Sequence, residues 1–142
     1  MKTDRYLTFL GIIPFLFLLM LSFYQLETIG YISKLFYAYS AVIISFIAGT
    51  HWGICLHSKD GNKRTLLESN LITLVAWFSL FYLDLITELI MIVCFLYLLY
   101  VEHRLKRNGI VGTVYFSQRL HATLAVTLIQ ILFYINRNFI FI

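Results

Sequence analysis

The chain has 142 residues, 61% of them hydrophobic and 13% charged, with a mean hydropathy of +0.84 and a formal net charge of +4. That length provides for one domain, 1–142, and a soluble fold so small cannot hide this much apolar surface, so the composition excludes an ordinary soluble protein and indicates an integral membrane one. The lysines and arginines stand in short clusters between apolar runs, which argues for loops at a membrane surface and against a nucleic-acid partner.

The amino-terminal run MKTDRYLTFLGIIPFLFLLMLSF has the basic start and apolar centre of a signal peptide. No small-x-small cleavage site follows, and the run is longer than an h-region, so it reads as a retained first span over residues 6–24. Pro14 cannot donate to the carbonyl of Leu10, which predicts a kink there and a freed carbonyl that a neighbouring helix must satisfy. A second span covers 31–56. The apolar run from Leu66 to Val101 holds no proline or glycine and is too long for one crossing; Asp84 and Glu88 divide it into spans 66–83 and 86–101 joined by an acidic hairpin. EHRLKRNGIVG then reads as a basic loop, and a fifth span covers 115–135.

The fold class expected is therefore all-α, a bundle of five transmembrane helices. If the amino terminus is cytoplasmic, that side holds Lys2, Arg5, Lys59, Lys63, Arg64, Arg104, Lys106 and Arg107, against Lys34 and Arg137 opposite. The excess follows the positive-inside rule and predicts a carboxyl terminus outside.

Ala41, Ser45, Gly49 and Gly53 recur every four residues along the second span and end in a GxxxG pair. Small residues let helices approach closely, either within the bundle or across a homodimer. His51 and Trp52 lie between the two glycines, about one and a half turns inside the membrane. The histidine is a functional candidate at that depth; the alternative is a neutral, hydrogen-bonded imidazole beside an interfacial tryptophan. His51 and Cys55 at i and i+4 are too few ligands to indicate a metal. Cys55 and Cys94 sit in apolar runs and read as small buried hydrophobes.

Glu68 and Asn70 open the third span, and Arg119 and His121 the fifth, at a similar depth to His51. The candidate polar cluster is accordingly His51, Trp52, Glu68, Asn70, Arg119 and His121, with little polar in the opposite half beyond Gln130 and no paired carboxylates inside the membrane. Arg119 needs a partner, for which Glu68 is the candidate, unless it reaches out to lipid phosphates.

The run YSAVIISFIAGTHWG resembles the signature of the domain-of-unknown-function family 3429, the transmembrane-protein-69-like proteins. GIIPF at residues 11–15, LVAW at 74–77 and YFSQRLHAT at 115–123 are similar to its other motifs; ESNL stands where that family has a proline before serine and leucine. The resemblance implies a small polytopic protein, of a bacterial inner membrane or alternatively a mitochondrial one, with no established activity and no catalytic residues. No enzyme, cofactor or metal is expected. The expected role is an accessory or assembly factor whose partners are the lipid bilayer, other membrane proteins or a second copy. The alternative is a small transporter or channel using the polar cluster.

Overall fold

The computed structural model describes residues 6, 8–24, 28–58 and 63–139. Its helices are α1 (Ile13–Tyr24), α2 (Ile29–His57), α3 (Lys63–Ser79), α4 (Leu85–Arg107) and α5 (Thr113–Phe139). Three of them, α2, α4 and α5, are long and apolar enough to cross a bilayer. With large apolar side chains such as Phe46, Leu67, Phe81 and Val93 more than 60% exposed around the outside, the surface is one that lipid covers.

The helices run up and down. At the end holding His57, Lys63, Arg107 and Thr113, the basic end, side-chain bonds link α4 to α2, α3 and α5. Contacts of α1 with α5 and of α2 with α5 gather at the far end, which holds Tyr24, Ile29, Ser79 and Leu85. Packing follows helical periodicity. On α4 the buried residues Thr87, Glu88, Met91, Cys94, Phe95, Leu98, Val101, Glu102 and Leu105 fall three or four apart and form one inward stripe.

Midway between the ends the core is aromatic. Phe36 of α2 stacks on Phe133 of α5 at 4.0 Å with an interplanar angle of 5°. Phe15 of α1 meets Phe36 and Phe95 edge-on at 5.4 and 6.3 Å, and all four of these rings are buried. The edge-on contacts suit the ring quadrupole and add to the area term.

Where the first span was expected to begin at residue 6, α1 proper begins at Ile13, after a helical turn at 8–10 and a break at Gly11 and Ile12. Pro14 is the cause, since its ring excludes regular bonding to the preceding turn. A neighbouring helix does supply the donor, one residue along from Leu10: the Tyr39 hydroxyl of α2 donates to the carbonyl of Gly11 at 3.0 Å.

The fourth span was expected to stop at Val101, yet α4 continues to Arg107. Its end is a Schellman turn, in which Ile110 N–H donates to the Leu105 carbonyl and Gly109 N–H to that of Lys106, both at 3.0 Å. Gly109 takes the left-handed conformation this turn requires, with φ of 71°. The acidic hairpin forms as expected: the Asp84 carboxylate accepts from Ile86 N–H at 2.9 Å and caps α4. Leu83 before it has φ of 52°, unfavourable for a leucine. Its carbonyl accepts from Arg137 of α5 at 3.2 Å, and Thr87 donates back to the Ser79 carbonyl at 2.7 Å. Lys2, Arg5 and Lys59 of the expected charge pattern lie outside the described residues.

Removing the Tyr39 hydroxyl with Tyr39→Phe is expected to cost about 1 kcal/mol, read as a lower midpoint of thermal unfolding in mild detergent. An unchanged midpoint would show that the Gly11 carbonyl needs no partner from α2.

Candidate functional site

α4 carries two glutamates on its inward stripe, and each organises one end of the bundle. At the basic end Glu102 is fully buried, and a single oxygen, Oε1, is the focus of three side chains. Arg119 of α5 donates to it through Nε at 2.9 Å. His51 Nε2 of α2 lies 3.4 Å away, and the Tyr115 hydroxyl of α5 donates at 3.4 Å. His51 is itself fully buried, on the same face of α2 as Ile44, Ile47, Ala48 and Cys55. A cation, an imidazole and a phenol therefore converge on one carboxylate away from water. The arrangement compensates the glutamate's charge, which a low-dielectric interior demands. Two atoms stay unsatisfied among the described residues, Glu102 Oε2 and His51 Nδ1.

Glu68 does not reach this group. The expected Glu68–Arg119 pair is replaced by two others: Arg119 pairs with Glu102, and Glu68 pairs with Arg104 of α4. Arg104 donates to both Glu68 oxygens, at 3.2 Å from Nη1 to Oε1 and more closely from Nη2 to Oε2. Arg64 adds a 2.7 Å bond to Glu68 from one turn earlier on α3, and Thr65 accepts from Arg104 at 3.3 Å. The physical reason is helix position: Glu68 faces the outer side of α4, whereas Arg119 faces its buried stripe.

The remaining members of the expected cluster are placed apart. Trp52 Nε1 donates to Asn70 Oδ1 at 3.2 Å on an exposed surface between α2 and α3. His121 is exposed, its Nδ1 2.6 Å from the Ser117 carbonyl on its own helix. The small-residue stripe also parts company with the bundle. Ala41 is buried, but Ser45, Gly49 and Gly53 turn outward, and a Cβ placed on either glycine would meet nothing within 4 Å. These glycines do not serve packing within the chain. His57 and His103, in the last turns of α2 and α4, are exposed.

The far end is more polar than the sequence pattern suggested. Glu88 is buried at the first turn of α4, facing the buried Tyr37 hydroxyl. Arg137 donates to that hydroxyl at 2.8 Å, while neither Glu88 oxygen has a hydrogen bond of ordinary geometry among the described residues. Asn136 donates to Ser22 at 2.9 Å, and Gln130 donates to Ser40 at 3.4 Å one turn nearer the middle than the Phe36–Phe133 stack. The bundle thus buries two carboxylates on one helix, Glu88 and Glu102, where no pair of carboxylates inside the membrane was expected. A signal for them was present: Glu88, Phe95 and Glu102 are spaced by sevens, as are Met91, Leu98 and Leu105, so both acids fall on the apolar seam.

A helical bundle with lipid-facing sides and buried acid–base networks at its ends defines a membrane protein. The family model described as protein of unknown function, DUF3429, matches residues 1–135, and the chain belongs to that family. No curated protein and no solved structure matches it.

Glu102→Ala leaves Arg119 charged without its partner in the interior and is expected to cost about 3–5 kcal/mol, measured by thermal unfolding in detergent. Glu68→Ala should cost less, since Glu68 keeps 13% exposure where Glu102 has none, and Arg104 retains Thr65 as a partner. Exchanging charges in the double variant Glu68→Arg, Arg104→Glu should restore membrane accumulation lost in either single variant. Rescue by Glu68→Arg with Arg119→Glu instead would overturn the pairing.

Proposed function

We propose that this chain is a five-span protein of an inner membrane, bacterial or alternatively mitochondrial, with its amino terminus cytoplasmic. Its role is non-enzymatic: an accessory or assembly factor that meets other membrane proteins through its lipid-exposed helix faces. The orientation rests on the basic end, where Lys63, Arg64, Arg104, Lys106 and Arg107 gather, while Arg137 at the far end is engaged with Tyr37 and the Leu83 carbonyl. The observation that carries the role is the closed aromatic centre. Phe15, Phe36, Phe95 and Phe133, with Met91 and Leu98, are all buried between the two polar ends, which supports a rigid scaffold over a conduit. α1 and α3 are the shorter members, and α1 with its leading turn forms an apolar stretch Thr8–Tyr24. Tilt and flanking residues accommodate such lengths in lipid.

The transporter reading keeps one observation in its favour: Glu88 and Glu102 lie on one stripe of α4 at opposite ends, as proton-relay carboxylates do. Proteoliposomes separate the two. The scaffold reading expects no proton or ion flux above empty vesicles. Flux that Glu102→Gln abolishes would establish the transporter. Single cysteines at residues 3 and 140 should react with an impermeant maleimide from opposite sides of the membrane; labelling from the same side would refute the five-span topology.

A further inference from the structure

α1, α2 and α5 leave a cavity of about 360 Å³ between them on the flank of the Glu102 network. Its walls are largely apolar, with Ile43, Phe46, Ile47 and Phe95 among them, and its polar side is formed by Arg119 with Thr8 and Thr123. Phe46 is 71% exposed, so the mouth opens sideways toward lipid. The break at Gly11 and Ile12 borders it, both residues being part of its lining.

The polar chemistry at this cavity is that of donors. Arg119 uses Nε for Glu102 and is itself a lining residue, carrying further guanidinium N–H donors. Thr123, only 3% exposed, brings a hydroxyl. A complementary head group must accept hydrogen bonds. The charge at the site selects further. The Arg119 cation already sits 2.9 Å from the fully buried Glu102 carboxylate, so its charge is already matched. A second full anion would lie near Glu102 in a low-dielectric interior, which is strongly unfavourable. An uncharged carbonyl meets both conditions. The volume is at the lower end of the roughly 300–1,000 Å³ of small-molecule sites, enough for a substituted ring whose tail remains in the bilayer, and Phe46 and Phe95 offer aromatic surface to that ring.

We propose that this cavity binds a lipid-soluble quinone, a carbonyl oxygen accepting from Arg119 and the ring lying against the aromatic wall. The ligand partitions into the membrane and enters between helices, so the site needs no aqueous path. The proposal concerns binding and goes beyond the scaffold role.

The test uses the full chain in phosphatidylcholine nanodiscs with a photoreactive azidobenzoquinone, mapping labelled peptides by mass spectrometry. Saturable labelling of the cavity-lining segments is expected, competed by a decyl-substituted benzoquinone and not by oleate. Thr123→Val, which disturbs no ion pair, should weaken binding several-fold. Ile43→Trp, which fills the cavity, should abolish it, and Arg119→Lys should weaken it about tenfold by loss of the guanidinium fork. Folding of each variant is checked by its unfolding midpoint. Competition by oleate alone would assign the cavity to an anionic lipid. Labelling that does not saturate, or that Thr123→Val and Ile43→Trp leave unchanged in folded protein, would overturn the site.

Discussion

One oxygen atom, Glu102 Oε1, ties three helices together. It receives Arg119 and Tyr115 from α5 and approaches His51 from α2, so the basic end of α4 is locked between its neighbours. In water such a convergence would be worth little, because solvent competes for every partner. Surrounded by lipid, the alternative for each of these groups is to remain unsatisfied, so the group holds position as well as charge. Helices in lipid have no hydrophobic drive to associate with each other. Close packing of the aromatic centre supplies attraction, and the polar ends supply register.

That division also explains which parts of the structure were legible in the sequence. The all-helical class followed from apolar runs too long for strands, and the hairpin at Asp84 followed from a run too long for one crossing. The contacts of Pro14 were legible in kind, since a missing donor in lipid must be replaced by a neighbour. Glu102 was not read as interior because it stands in EHRLKR, where each following charge signals a loop. The helix nonetheless runs on through that segment, and rotation then sends Glu102 inward and His103 outward. Depth alone grouped Glu68, Asn70 and His121 with His51, and depth says nothing about which way a helix turns its side chains. The same holds for the small-residue stripe: a four-residue repeat drifts around a helix of 3.6 residues per turn, so it begins buried at Ala41 and ends outside at Gly53. That drift takes its glycines out of packing within the bundle and leaves the homodimer alternative standing.

The polar groups differ in how complete they are. Arg104 and Arg64 hold Glu68 at the periphery, with Thr65 accepting from Arg104, where water and lipid head groups can help. Glu102 and Glu88, deeper, keep unsatisfied oxygens among the described residues. Buried polar networks left open in this way are where a protein meets a proton, a water or a ligand, and the cavity beside Arg119 adjoins one of them.

The reversal between α3 and α4 has a bearing on the order in which the chain matures. Leu83 holds a left-handed backbone, and the donor for its carbonyl comes from Arg137, 54 positions later. As a ribosome delivers the polypeptide, that donor arrives after every other helix has been made. The hairpin completes this contact only once α5 has entered beside it, so α5 acts as the latch on the turn between α3 and α4.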